Sequence, residues 1–92
     1  MIGVFDSGIG GLTVVKEINR QLPGYSVLYL GDTARTPYGT KSLETIREYA
    51  KECAQFLLKN GATVIVIACN SASSACAEEL RKTLSVPVFD VI

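Results

Sequence analysis

The longest apolar run in the sequence, Val64 to Cys69, limits the possible folds more than any other feature. Its first five residues, Val64–Ala68, are uniformly apolar and mostly β-branched, a pattern that predicts a strand buried on both faces of a sheet. The run is far too short to cross a membrane, which takes about 20 apolar residues in a helix. We therefore expect an internal strand of a parallel sheet and no membrane partner.

Segments with strand and helix patterns alternate along the whole chain. The strand candidates are Ile2–Phe5, Val27–Leu30, Val64–Ala68 and Val86–Ile92. Between them, apolar residues recur at helical spacing. The two clearest stripes are Leu12, Val15, Ile18 and Leu22, and Leu43, Ile46, Ala50, Cys53 and Leu57. The sequence thus predicts an α/β domain with a mostly parallel sheet flanked by helices on both faces, whose strand order stays open.

Helix boundaries are also marked in the sequence. Pro23-Gly24 ends the first helix, Ser42 is the predicted N-cap of the second, and Asn60-Gly61 is the stop signal of the second. A third helix follows Cys69-Asn70-Ser71 and reaches about Leu84.

Composition excludes several classes of protein. The 92 residues carry nine basic and nine acidic side chains, interspersed along the chain, so no nucleic-acid partner is expected. Histidine is absent and the three cysteines lack CxxC spacing, which argues against a disulfide framework and a zinc site. The N-terminus lacks the basic and apolar regions of a signal peptide. A reduced, cytoplasmic protein without a metal fits these features.

Unusual polar clusters follow three of the predicted strands. They are Asp6-Ser7-Gly8, the loop from Asp32 to Gly39, and Cys69-Asn70-Ser71. In open α/β sheets, ligands bind at the carboxyl ends of the strands. The sequence therefore predicts a small-molecule site on this rim of the sheet.

Cys69 is the strongest candidate for a reactive residue. It ends a buried strand and precedes a helix, whose partial positive charge and free N–H groups favour a cysteine that gains and loses a proton. The alternative is that Cys69 is simply a small buried apolar side chain. Cys53 and Cys76 lie on predicted helices among apolar neighbours, so we interpret both as structural.

The other polar residues each have two interpretations. Asp6 could receive a substrate ammonium or cap the following helix, and one carboxylate can do both. The nearby glycines let the backbone approach a ligand or merely form a tight turn. Pro37-Tyr38-Gly39 could present backbone N–H groups and a phenol to the same rim, or form an ordinary turn.

One known motif comes close to matching. The spacing of Gly8, Gly10 and Thr13 approaches the dinucleotide fingerprint, although threonine stands where glycine or alanine is required. Asp32, 24 positions after Gly8, stands where that fold places its ribose-binding acid. Against a dinucleotide site, a charge and a hydroxyl precede the glycines, and the motif does not account for Cys69.

Three stretches of the chain resemble the glutamate racemase family, in register and in order. They are Gly3–Val14, Tyr29–Arg35 with Pro37-Tyr38-Gly39, and Ala68–Ser73. The last is similar to a family pattern that usually reads Ala-Cys-Asn-Thr-Ala. Ser71 replaces the threonine here, which keeps the hydroxyl and loses a methyl group.

This resemblance implies a cofactor-independent racemisation of L-glutamate to D-glutamate, which feeds peptidoglycan synthesis and so affects cell-wall formation and cell shape. In the family, two cysteines face opposite sides of the α-carbon, and one removes a proton while the other returns one. The resemblance assigns catalysis to Cys69 and Asp6. It assigns substrate binding to Asp6, Ser7, Pro37, Tyr38, Gly39, Asn70 and Ser71.

The second cysteine of the family lies in a later Cys-Thr-His stretch, which this sequence lacks. Cys76 cannot replace it, because it lies on a helix only seven residues after Cys69. We therefore expect residues 1–92 to be the N-terminal lobe of a longer, two-lobed enzyme and to be inactive alone. A racemase for another substrate such as aspartate, and a non-catalytic nucleotide-binding domain, remain alternatives, and a homodimer also stays open.

Overall fold

The computed structural model describes residues 1–8 and 10–91. Within them four strands alternate with three α-helices, which confirms the predicted α/β class. The strands are β1 (Ile2–Asp6), β2 (Val27–Gly31), β3 (Val64–Ile67) and β4 (Val88–Asp90), and the helices are α1 (Leu12–Gln21), α2 (Leu43–Lys59) and α3 (Asn70–Thr83). Ile9 in the glycine-rich turn and Ile92 at the predicted end of β4 lie outside the described residues.

The four strands form one sheet in which every neighbouring pair is parallel, in the order β2-β1-β3-β4. Val4 of β1 pairs with Tyr29 of β2 on one side and with Val66 of β3 on the other. The chain crosses from β1 to β2 in one direction, then returns past β1 to β3 and β4. Because such crossovers are right-handed, this reversal places α1 on one face and α2 and α3 on the other, as predicted.

The core lies on the face that α2 and α3 cover. Phe5, Ile65 and Ile67 are fully buried there, together with Leu57 of α2 and Leu80 of α3. Burying one such side chain stabilises the fold by about 1.5–3 kcal/mol. This face therefore holds the strand ends of β1 and β3 in a fixed relation to the start of α3.

On the opposite face the sheet is only partly covered, so the prediction that β3 is buried on both sides is wrong. Val64 and Val66 are half-buried, whereas Ile65 and Ile67 on the core side are fully buried. Within the described residues only α1 covers this face, and Leu22 beside it is 45% exposed. An apolar groove of about 370 Å³ remains between α1 and the sheet.

The ends of α2 follow the predicted signals. Ser42 caps the helix, because its Oγ accepts the N–H of Thr45 at 3.1 Å. The helix stops before Asn60, and Gly61 adopts the left-handed region at φ +102°. Leu43, a member of the predicted apolar stripe, is 53% exposed because it begins the helix at the edge of the core.

Two further segments differ from their predictions. β4 spans only Val88–Asp90, because Pro87 has no N–H with which to extend the ladder. The loop between β2 and α2 contains two short 3₁₀ helices, Thr33–Arg35 and Tyr38–Thr40.

None of the helices in residues 1–8 and 10–91 is long and apolar enough to cross a membrane.

Candidate functional site

The strand order brings two of the predicted polar clusters together. β1 ends at Asp6 and β3 is its neighbour, so Cys69, just beyond β3, lies beside Ser7. The Cys69 thiol donates to Ser7 Oγ across 3.4 Å. The direction of chain crossing reverses between β1 and β3, and in sheets of this order ligands bind at that reversal. The thiol, hydroxyl and carboxylate thus meet where a ligand site is expected.

The Asp6 carboxylate is held by backbone N–H groups. Its Oδ1 accepts the N–H of Ser7 at 2.7 Å, and its Oδ2 accepts the N–H of Gly11, the residue before α1. Asp6 is only 5% exposed, and in the described part of the chain no lysine, arginine or terminal amine lies within 4.0 Å of it. The carboxylate therefore tethers the start of α1, and no side-chain cation neutralises it.

Tyr29 supports the same turn from the neighbouring strand. Its hydroxyl donates to the Gly8 carbonyl at 2.9 Å. Burial, and then the charge of Asp6, raises the pKa of Tyr29 above its usual value. The phenol therefore keeps the proton that it donates to the Gly8 carbonyl. Sequence reasoning missed this contact, although a tyrosine in the otherwise aliphatic strand β2 was a signal for it.

The start of α3 forms the second side of the site. Cys69 is the N-cap residue with an extended backbone, and its carbonyl accepts the N–H of Ser73 at 2.8 Å. Asn70 and Ser71 begin the helix, and Asn70 is exposed. The N–H groups of a first helical turn have no partner within the helix and suit an anion such as a carboxylate.

Pro37-Tyr38-Gly39 reaches this rim only in part. Pro37 and Gly39 are exposed, and a Cβ atom on Gly39 would lie 3.5 Å from Ser71 Oγ, so the loop and α3 meet there. Tyr38 is 1% exposed and its hydroxyl donates to Asp32, so the expectation of a phenol at the rim is wrong. This segment can offer only its backbone to a ligand.

Asp32, at the end of β2, is the centre of a network that the sequence did not reveal. Its carboxylate accepts Arg35 Nε at 2.9 and 3.1 Å and the Tyr38 hydroxyl, and the Cys53 thiol lies 3.7 Å away. Burial, and then the bond to Asp32, raises the pKa of Tyr38 far above its usual value. The partners of Asp32 occupy its carboxylate, so it is not free to accept hydrogen bonds from a ribose. The dinucleotide-binding alternative therefore lacks its ribose-binding acid.

Arg35 closes this network on the outer side. Its guanidinium pairs with Glu52 of α2 and lies 4.0 Å from the ring centroid of Tyr49. The bond to Glu52, followed by the charge of Asp32, raises the pKa of Arg35 further above its usual range. The positive charge beside Asp32 is therefore permanent.

The remaining two cysteines lie in the core. Burial raises the pKa of Cys53 to about 11 and that of Cys76 to about 11. The Cys76 thiol donates to the carbonyl of Ala72 at 2.9 Å, within its own helix. Both positions are consistent with a structural role. Among the described residues, no group of three or more metal-ligating side chains could hold a metal ion.

Comparison with known proteins gives one consistent result. The profile of the family described as Asp/Glu/Hydantoin racemase matches residues 2–92. The glutamate racemase of Thermus thermophilus is 58% identical over 91 residues, which are 99% of this chain and 35% of that protein. The chain therefore spans about a third of the length of this relative.

Solved structures agree with this match. The glutamate racemase of Aquifex pyrophilus superposes with a TM-score of 0.96 at 54% identity, over 99% of this chain and 36% of that one. The glutamate racemase of Francisella tularensis in complex with D-glutamate superposes with a TM-score of 0.89 at 47% identity, over 97% of this chain and 34% of that one.

Proposed function

The chain belongs to the Asp/Glu/Hydantoin racemase family, and we propose that it supplies one half of the active site of a glutamate racemase. The observation that carries this proposal is the Cys69 thiol, 3.4 Å from Ser7 Oγ and beside the Asp6 carboxylate at the β1–β3 rim. The relatives named above are about three times longer. Residues 1–92 are therefore proposed to be one lobe of a two-lobed enzyme.

In the proposed reaction, Cys69 in its thiolate form takes the proton from the α-carbon of glutamate. The C–H electron pair stays on carbon as a carbanion, and Cys69 becomes a neutral thiol. A second thiol, outside these 92 residues, gives a proton to the opposite face of the carbon. No electron is lost or gained overall, so the reaction needs no oxidant, and the proposal includes no cofactor.

The substrate is held at three points in this proposal. Asp6, which has no side-chain cation within ion-pair distance in the described residues, receives the ammonium group directly or through Ser7. The first turn of α3 at Asn70 and Ser71, with the backbone at Gly39, receives the α-carboxylate. Donors aimed at the carboxylate stabilise the charge that develops in the carbanion, by about 3–4 kcal/mol for a well-placed one.

The wider role follows from the same resemblance. We propose that the enzyme acts in the cytoplasm and supplies D-glutamate for peptidoglycan. The even balance of nine basic and nine acidic residues supports a small-molecule substrate rather than a nucleic acid.

Circular dichroism of the full-length protein, with L- or D-glutamate and no added cofactor, tests the activity. We expect Cys69→Ser to lower kcat by about 10²–10⁴-fold, the usual contribution of a positioned acid/base group. Cys76→Ser is the matched control, because its thiol bonds only within α3, and it should retain the wild-type rate. Aspartate is assayed in parallel. A Cys69→Ser enzyme at the wild-type rate, or turnover of aspartate alone, would contradict the proposal.

A further inference from the structure

The network around Asp32 has no role in the proton transfers described above. Asp32 directly follows β2, and its side chain is only 11% exposed. Its carboxylate meets a guanidinium from Arg35, a phenol from Tyr38 and a thiol from Cys53. A neighbouring carboxylate, Glu52, binds the far side of the guanidinium. Taking charged groups out of water costs free energy, which only ion pairs and hydrogen bonds of good geometry offset.

The location of this network indicates what it does for the fold. Tyr38 is the residue before Gly39, whose backbone lies against Ser71 at the start of α3. The hydrogen bond from the Tyr38 phenol to Asp32 therefore fixes the position of the Tyr38 side chain. The next residue, Gly39, borders the proposed carboxylate site. Asp32 and Tyr38 thus link the end of β2 to the start of α3.

We propose that Asp32 is a positioning residue, which holds Tyr38 so that the backbone of Gly39 stays beside Ser71 and completes the site for the substrate α-carboxylate. This inference rests on the proposed function, because it assigns a purpose to the same rim. Asp32 itself does not touch the substrate, since its carboxylate faces Tyr38, Arg35 and Cys53.

The partners of Asp32 suit a fixed anchor. The phenol stays protonated, because burial raises the pKa of Tyr38. Arg35 is held by Glu52 and by the ring of Tyr49, so it keeps its place beside Asp32 even when solvent reaches the loop. Bonds in which one partner is charged are about twice as strong as neutral ones. The Tyr38 side chain therefore has one stable position.

Kinetics of the full-length racemase separates positioning from catalysis. Asp32→Ala and Tyr38→Phe should each raise KM for glutamate about tenfold, because the carboxylate is bound less well, and should lower kcat by no more than about tenfold, far less than Cys69→Ser, because the other donors at the carboxylate still stabilise the carbanion. Asp32→Asn should fall between them and wild type, since its amide can still contact the phenol. Asp90→Ala is the matched control: Asp90 ends β4, at the opposite edge of the sheet from β2, and pairs with Arg81 at 3.3 Å, so KM should not change.

A second measurement does not depend on activity. Amide hydrogen exchange at Gly39 and Ser71, followed by NMR, should accelerate in Asp32→Ala and Tyr38→Phe but not in Asp90→Ala. Tyr38→Phe keeps the buried ring, so it tests the bond in a protein that still folds. Unchanged KM and unchanged exchange in both variants overturn the positioning role, even if their melting temperatures fall. Absence of racemisation in the wild type, with faster exchange in both variants, refutes the proposed function and leaves Asp32 as the anchor of Gly39.

Discussion

Two clusters in this molecule contain the same three functional groups, a carboxylate, a hydroxyl and a thiol, and each begins where a strand ends. The rim cluster consists of Asp6, Ser7 and Cys69, and the inner cluster consists of Asp32, Tyr38 and Cys53. They differ in what binds the carboxylate. Backbone N–H groups bind the one in the rim cluster, whereas side chains bind the one in the inner cluster.

This difference distinguishes the proposed ligand site from the cluster that we propose holds it in position. In the inner cluster Arg35 neutralises the carboxylate, and the phenol and thiol lie against the same oxygen. In the rim cluster the described residues provide no side-chain cation within 4.0 Å of Asp6, which supports the proposal that a substrate ammonium binds there. The groups present are the same, and their partners determine which cluster is free to bind a ligand.

Replacing each carboxylate by an amide should show the largest contrast. Both carboxylate oxygens of Asp6 accept a backbone N–H, so Asp6→Asn places an NH₂ group opposite one of these donors. The substitution should lower the free energy of unfolding by about 3–4 kcal/mol. Asp32→Asn should cost about 1 kcal/mol, because the hydroxyl of Tyr38 can turn and accept from the amide. Urea unfolding measures both, with Asp90→Asn as the control for a paired carboxylate at a strand end. Equal losses at the two positions would remove the distinction between backbone and side-chain tethering.

The sequence predicted the rim cluster better than the inner one, for a physical reason. Asp6 and Cys69 follow apolar runs directly, so their place at the carboxyl ends of strands could be read locally. The inner cluster depends on Cys53, which α2 brings to Asp32 from 21 residues away in the sequence. Local patterns hold no information about that contact or about the burial of Tyr38, so the sequence left open whether its phenol lies at the rim or belongs to an ordinary turn.

The order and burial of the strands show the same limit of local sequence patterns. The alternation of strands and helices and the Ser42 cap were predicted correctly, because these signals are local. The order β2-β1-β3-β4, which makes β1 and β3 neighbours, is set by crossovers that sequence patterns do not specify. The apolar run of β3 predicted two buried faces, yet within the described residues only the face with Ile65 and Ile67 is closed.

Replacing Gly11 and Gly39 by alanine should give a difference in the free energy of unfolding that is of intermediate size. A Cβ on Gly11 would lie 2.8 Å from Asp6 Cβ and 3.0 Å from Ala68 Cβ, so Gly11→Ala should lower the free energy of unfolding by about 2–3 kcal/mol. A Cβ on Gly39 would meet Ser71 Oγ at 3.5 Å, an ordinary contact, and Gly39→Ala should stay within about 0.5 kcal/mol. Thermal unfolding followed by circular dichroism compares them. A loss at Gly39 as large as that at Gly11 would mean that the second loop is packed as tightly as the first.

The smallest effect concerns the thiol of the inner cluster at alkaline pH. Burial raises the pKa of Cys53 from 9 to about 11 in the folded chain. Above pH 9 the unfolded chain therefore loses this proton first, so the stability that the neutral thiol provides is complete below pH 9 and is lost as the pH rises towards 11. The expected decrease is about 1–2 kcal/mol.

Cys53→Ala should remove this decrease, and urea unfolding between pH 8 and about 11 under reducing conditions measures it. Cys76 makes a similar contribution of its own, since burial raises its pKa to about 11, so the variant should show a shallower pH dependence rather than a flat one. All other side chains are the same in wild type and variant, so their effect cancels in the difference. An identical pH dependence in the two proteins would show that the Cys53 thiol is not shielded from water in the folded chain.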